Sequence, residues 1–273
     1  MVSEPSFSVA ACVVIPHLNN KAGLVRALRS VGGRTTFIVD GSGGGAPRVL
    51  TDATLIGAGV LDSGQDHDQS KNSFAISANA GLKAAEAAGF STTLLLNDDA
   101  ALEPGALREL ERVFDSRDNV GAVGPLLYDK IGLESAGLCF SPRTARAVQR
   151  SDIPSGVEER VALSGACLLL SSAERFDESF EHGFEDYELC MRMAKLGKLV
   201  LIAPEARVFH EGGGTVSRRS RRAVSGGVSG HLRLVKDAPY KRALVIFYAG
   251  LQLIREGGGT DAFKGFYEGI KPR

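Results

Sequence analysis

Runs of apolar residues with two different periods alternate along the first two hundred residues. Val9 to Ile15 is unbroken and β-branched, the pattern of a strand buried on both faces, and Pro16 is expected to end it. After the polar turn His17 to Lys21, Leu24, Leu28 and Val31 recur at helical spacing, with Gly32 and Gly33 as the stop. Thr35 to Val39 and Leu55 to Val60 predict further strands, separated by Asp40 and the glycines from Gly41 to Gly45. An alanine-rich helix is expected over Ser77 to Ala88, followed by a strand, Thr92 to Leu96, that runs into Asn97-Asp98-Asp99. Pro104 opens a helix with Leu107, Leu110 and Val113 on one face, and Val120 to Val123 begins the next strand. Further on, Leu163 to Leu170 and Val200 to Ala203 read as strands on either side of a loop, Ser171 to Gly183, and a helix, Asp186 to Leu196.

This alternation predicts an α/β fold with a mainly parallel, mixed sheet flanked by helices. The main domain is expected over residues 8–216, a mobile basic loop over 217–230 and a helical tail over 231–273. At 44% hydrophobic and 23% charged residues, the 273-residue chain has ample material for a core, which excludes overall disorder. Its 32 basic residues balance 32 acidic ones, so no global field draws it to nucleic acid. Cys12, Cys139, Cys167 and Cys190 lie in apolar stretches without a close pair, which fits a reducing cytoplasm better than a zinc cluster or a disulfide framework. No export signal or membrane span is expected.

Four polar groups carry candidate chemistry. Asn97-Asp98-Asp99 lies where open α/β sheets bind ligands, and carboxylates there can hold Mg²⁺ or Mn²⁺ against a diphosphate, although a polar turn entering a helix gives the same letters. Of Glu185-Asp186, one carboxylate can accept a proton from an attacking hydroxyl, since burial and a neighbouring acid raise an aspartate above its usual pKa of ~3.9. Helix-start acids favoured by the macrodipole are the plainer reading. His210, ahead of three glycines, offers an imidazole suited to Mn²⁺, or an ordinary hydrogen-bonded histidine. Asp40-Gly41-Ser42 follows the second strand, where a carboxylate can receive hydrogen bonds from a nucleobase or ribose. The same glycines fit a dinucleotide fingerprint, Gly41 to Ala46, with Asp62 beyond. Against that, Asp40 would set negative charge beside a pyrophosphate, and Pro47 to Ala53 makes a poor crossover helix. The Ser217 to Arg222 run, with four arginines, suits a solvated face, a diphosphate clamp or an anionic lipid head group.

Taken in order, Val13-Val14-Ile15-Pro16, Ile38 to Ser42, Phe74 to Leu82, Leu94 to Asp99, Val120 to Pro125, Ser164 to Leu169, Phe176 to Arg192 and Pro204 to Gly213 resemble the family-2 inverting glycosyltransferases of the GT-A fold, in their bacterial rhamnosyltransferase-like branch. The resemblance implies that Asp40 recognises the nucleotide base, that Asp99 and His210 hold Mn²⁺ or Mg²⁺, and that Asp186 is the catalytic base. It places Pro16, Ser42, Asn79, Asn97 and Asp98 with the nucleotide sugar, Gly165 in the donor or acceptor cleft, and Arg192 as support from the helix. Four features depart from the pattern: His17-Leu18-Asn19 stands for the usual Tyr-Asn, Lys71-Asn72-Ser73 for Asn-x-Gly, the nucleotide loop lacks the usual second acid after Ser42, and Asn-Asp-Asp stands for Asp-x-Asp or Asn-Pro-Asp.

The function expected is inverting transfer of a sugar from a dTDP-rhamnose or UDP-hexose type donor to a hydroxyl of a glycan, a lipid-linked intermediate or a small molecule. The rivals are a dinucleotide-dependent oxidoreductase and a non-catalytic nucleotide-sugar binder. In the tail, Leu244, Ile246, Phe247, Leu251 and Ile254 make a broad apolar stripe that suits packing on the main domain, a twin subunit or peripheral membrane contact.

Overall fold

The computed structural model describes residues 10–42, 58–62, 73–180, 183–212 and 220–271. Its parallel half consists of β1 (Cys12–His17), β2 (Thr36–Asp40), β3 (Ala58–Asp62) and β4 (Thr92–Leu96), in the spatial order β3-β2-β1-β4. Helices α1 (Lys21–Ser30) and α2 (Phe74–Ala87) lie in the connections of this half. Then come β5 (Ala100–Leu102), α3 (Ala106–Phe114), β6 (Val120–Tyr128), β7 (Leu133–Ser135), a hairpin of β8 (Leu138–Phe140) and β9 (Ala147–Gln149), and the short β10 (Glu158–Glu159). β11 (Cys167–Ser171), α4 (Glu185–Lys195) and β12 (Leu199–His210) complete the body, and α5 (Arg221–Leu234), α6 (Pro239–Arg255) and α7 (Thr260–Ile270) form the tail.

The polarity of the sheet changes once it passes β4. β11 runs antiparallel to β4, pairing Cys167 with Leu96, while β6 is antiparallel to β11 and parallel to β12. Side chains alternate across the strands, so Val13 and Ile15 pack with Leu24 of α1 and Leu110 of α3, while Cys12 and Val14 pack with Leu82 of α2 on the other face. All five residues of β4 are buried, as a central strand covered on both faces requires.

Several boundaries differ from those expected. β1 continues through Pro16 to His17, because beyond Val14 it pairs only with β2 and one edge is free of ladder bonds that a proline would break. α2 starts at Phe74 because Ser73 caps it, its Oγ accepting from the Ile76 N–H at 3.2 Å. The strand expected at Val200 to Ala203 extends to His210, with an irregular step between Ala203 and Arg207. The third strand begins at Ala58 among the described residues, and Leu55 to Gly57 lie outside them.

The expected mobile loop over 217–230 is corrected from Arg221 onward, where α5 begins behind Ser220, whose Oγ accepts from the Ala223 N–H at 3.2 Å. Val228, Leu232, Val235 and Val245 build a small core for the tail, so this arginine-bearing segment has an apolar face to bury. Ser217 to Arg219 lie outside the described residues.

The tail grips the body through α5. A Cβ at Gly230 would stand 2.7 Å from Phe184 Cδ2, so the helix approaches the start of α4 as closely as a glycine permits. The His231 ring lies 4.0 Å from that of Phe184, and its Nε2 accepts the Ala147 N–H at 2.7 Å. Burial, reinforced by the nearby Arg146 charge, pushes the His231 pKa down from 6.5 to about 4. Its neutral form is the one that docks. The unfolded chain binds the proton more readily between those values, so this stabilisation is complete above pH 6.5 and is lost as the pH falls toward 4. Melting temperatures measured across that window should fall more steeply for the native protein than for His231→Gln.

Candidate active site

The carboxyl ends of β2, β1 and β4 meet at one edge of the sheet, and polar side chains tie them together. Asp98 is buried just past β4; its Oδ2 pairs with His17 Nδ1 at 2.8 Å and accepts the Leu18 N–H at 3.0 Å. His17, which replaces the tyrosine of the family pattern, therefore locks the turn leaving β1 to the acidic turn leaving β4. Asp40, beside His17 in register, receives the Ser42 N–H at 2.8 Å, and Ser42 Oγ receives the Asn19 N–H at 2.8 Å. Asp40 and Ser42 are thus fixed together at this edge. Gly43 to Ala46, the rest of the dinucleotide fingerprint, lie outside the described residues.

One residue on, Asp99 reaches His210 at the end of β12, with Oδ1 3.3 Å from Nε2. The opposite ring nitrogen, Nδ1, meets Glu134 Oε2 of β7 at 2.7 Å. β7 is three residues long and carried no sequence signal, so Glu134 was not anticipated. Burial alone would lower the His210 pKa, but hydrogen bonds to Asp99 and Glu134, with their charges, outweigh it and raise the value from 6.5 to about 10. Without a bound ion the ring is an imidazolium between two carboxylates at neutral pH, so a metal at Nε2 would have to displace its proton.

A carboxylate facing an imidazole nitrogen is a donor pair that suits Mn²⁺, and Glu134 on the far nitrogen is the outer partner that orients such a ligand. Among the described residues no cluster of three or more potential ligands gathers here. An ion held by Asp99 and His210 would therefore draw the rest of its shell from phosphate oxygens and water.

The route from Asp99 to Asp186 follows from the reversal of strand direction. The Asn97 N–H donates to Ala166 O at 2.9 Å, and the neighbouring Gly165 N–H donates to Asp186 Oδ2 at 3.0 Å. The other oxygen of Asp186 accepts from its neighbour Tyr187 N–H at 2.8 Å. Preceding the pair, Phe184 takes a left-handed φ of 74°, a strained setting for a non-glycine residue, and is held there by His231 and Gly230 of the tail. Burial, with the Asp186 charge adding, pushes Glu185 up to about 8, and its Oε2 has no hydrogen-bond partner. Burial also raises Asp186, restrained by the N–H groups of Gly165 and Tyr187. Glu185 is thus the member of the pair that keeps its proton near neutrality, whereas both oxygens of Asp186 accept N–H groups, which favours its charged form.

Other expected site residues also make contacts within the framework. Asn79 is buried, donates to Phe176 O at 3.0 Å and Glu178 Oε1 at 2.8 Å, and accepts from the Phe176 N–H, so it anchors the loop ahead of α4. Arg192 donates to Glu188 at 3.0 Å and to Arg175 O at 2.6 Å, nearly two turns along α4 from Asp186. Pro16 lies within β1, opposite Val39, and Asp98 spends its carboxylate on His17 and Leu18. Gly165 packs against Phe74, where a Cβ would stand 3.2 Å from the ring, and beside Asp186.

No protein-family model and no curated protein sequence matches the chain. Solved structures do match in fold. GalNAc-T7 with UDP, GalNAc and Mn²⁺ superposes with a TM-score of 0.62 at 16% identity, over 96% of this chain and 54% of that one. The Pyrobaculum calidifontis mannosyltransferase in complex with GDP-Man and Mn²⁺ gives 0.57 at 14%, over 96% and 75%. S. aureus TarS gives 0.55 at 14%, over 96% and 46%. The chain thus spans about half the length of GalNAc-T7 and of TarS. The fold is the Rossmann-like GT-A architecture, as expected from the sequence.

The Asp99-His210-Glu134 chain has a measurable consequence. A raised folded-state pKa gives stability that is complete below pH 6.5 and disappears as the pH climbs through about 10. The melting-temperature difference between the native protein and His210→Gln should shrink steadily over that interval.

Proposed function

We propose that the protein is a glycosyltransferase that moves a sugar, with inversion, from a nucleoside-diphosphate donor of the dTDP-rhamnose or UDP-hexose type to an acceptor hydroxyl. The observation that carries this reading is the link from Asn97 through Ala166 and Gly165 to Asp186. It ties the loop that orients the partly buried Asp186 carboxylate to the turn that carries Asp99, which faces His210, on a GT-A sheet. Similar folds contain UDP with Mn²⁺ in GalNAc-T7 and GDP-Man with Mn²⁺ in the mannosyltransferase, which supports a nucleotide sugar as ligand.

In this reading Asp40 and Ser42 bind the nucleoside at the end of β2. Asp99 and His210 hold a divalent ion that, when bound, neutralises the departing nucleoside diphosphate. Asp186 takes the proton of the acceptor hydroxyl as its oxygen attacks the anomeric carbon from the face opposite the diphosphate. The Gly165 N–H keeps Oδ2 oriented for this, and the raised Asp186 pKa makes the carboxylate a better base than an exposed aspartate. Glu185, protonated near neutrality, adds no second negative charge beside Asp186.

The test is release of nucleoside diphosphate from a panel of nucleotide sugars with candidate acceptors, paired with thermal shift by UDP or dTDP plus Mn²⁺. Asp186→Asn is expected to keep the thermal shift and lose turnover by roughly 10²- to 10⁴-fold, the usual worth of a general base. Asp99→Ala should lose the Mn²⁺-dependent part of the shift. Equal turnover by Asp186→Asn and the native protein would remove the assigned base, and nucleotide binding without any turnover would favour an inert binder.

A further inference from the structure

Charge is unevenly spread along this neutral chain. Residues 217–273 hold twelve Lys and Arg against four Asp and Glu, leaving 20 against 28 in residues 1–216. An acidic body is therefore joined to a tail of net charge +8.

Apolar surface gathers on the same tail. Tyr240, Leu244, Phe247, Leu251 and Ile254 recur every three or four residues along α6, while Val245 and Leu253 face inward. Phe247 is 62% exposed and Ile254 67% exposed, and α7 adds exposed Phe263 and Tyr267. A groove of about 420 Å³, walled by Phe140, Pro142, Met191 and Leu234, opens onto this stripe at Tyr240 and Leu244. Cations on this segment are Lys241, Arg242 and Arg255 on α6, Lys264 on α7 and Lys271 at its C-cap, against the acids Glu256, Asp261 and Glu268. The Lys271 ammonium lies 4.6 Å above the Tyr267 ring and the Lys241 ammonium 5.9 Å from the Tyr240 ring, so aromatic surface and positive charge are presented together.

We propose that this face of α6 and α7 docks the protein peripherally on an anionic phospholipid bilayer. Phenylalanine and aliphatic side chains enter the acyl boundary, tyrosines sit at head-group level, and lysines snorkel to the phosphates. Among the described residues no helix is long and apolar enough to cross a membrane, which agrees with a helix lying in the interface. Charge favours lipid over a second copy: symmetric pairing through α6 would set two net-basic segments, five cations against three acids from α6 to Lys271, against each other, whereas anionic lipid complements both the cations and the apolar stripe. A nucleic-acid backbone would satisfy the cations and leave Phe247, Leu251 and Ile254 in water.

The proposal stands apart from the catalytic assignment and is tested with the full chain. Co-sedimentation is measured with vesicles of phosphatidylcholine alone and of phosphatidylcholine mixed with phosphatidylglycerol. Binding is expected on the mixed vesicles only, and should weaken as salt rises. Phe247→Glu/Ile254→Glu and, separately, Lys241→Glu/Lys264→Glu should each reduce binding at least tenfold while melting temperature and the nucleotide thermal shift stay native. Phe247, Ile254 and Lys264 are exposed and Lys241 is half-buried, so an unchanged melting temperature is the control that folding is intact. Absence of binding to mixed vesicles, equal binding to both kinds, or binding untouched by the Phe247/Ile254 pair would each overturn it. Sedimentation velocity showing a dimer that Phe247→Glu dissociates would overturn it as well, by assigning the face to a second copy.

Discussion

Reversal of strand direction between β4 and β11 is the constraint from which the rest of the site follows. β4 ends in Asn97-Asp98-Asp99 at the carboxyl edge of the parallel half, the place where such sheets leave a crevice. A strand running the same way would start at the opposite edge and carry its preceding loop away. Because β11 is antiparallel, Ser164 to Ala166 arrive beside Asn97, and the Asn97-Ala166 hydrogen bond closes that corner. Gly165 then holds Asp186. Two backbone N–H groups thereby link the acid that would handle the proton to the turn bearing the acid that would face the diphosphate, far apart in the chain.

Charge at this edge is organised by burial. Asp98, Asp99, Glu134, Glu185 and Asp186 are five acids in one region, and five ionised, unpartnered carboxylates there would repel one another strongly. Each meets a different solution. Asp98 is taken up by His17 and the Leu18 N–H, Asp99 and Glu134 share the His210 imidazolium, and Glu185 keeps its proton. Asp186 is left as a charge stabilised by two N–H groups, with part of its surface open to solvent. His210 and His231 show how far surroundings move the same side chain. Two acceptors raise one, whereas burial beside an arginine lowers the other.

The tail belongs to this arrangement. Phe184 adopts a backbone conformation costly for its residue type and supplies the entry to α4, whose first turn carries Glu185 and Asp186. Gly230 and His231 hold it in place from α5, while Arg233 bonds Ser179 and lies over Phe180 in the preceding loop. The face of α5 that packs on the body is thereby separated from the α6 face that meets solvent, so one basic segment both braces the acidic corner and presents an apolar surface elsewhere.

Period and punctuation in the amino-acid order were enough for the alternating elements, the buried strands at Val13 and Leu94, the acids at the end of β4 and the general architecture, because these depend on neighbours a few residues apart. Asp40, Asp99, Asp186 and His210 stood out by local setting, yet each had an equally good plain reading as a turn or helix-start residue. What only the folded chain decided were partnerships across large separations. Glu134 on a three-residue strand finds His210, Asn79 and Arg192 turn to the framework, and the supposed loop after Arg221 becomes a helix once Val228 and Leu232 have something to cover. Such contacts depend on strand order and direction, which no local spacing encodes: a hydrogen bond needs two groups within about 3 Å, and only packing brings distant residues that close.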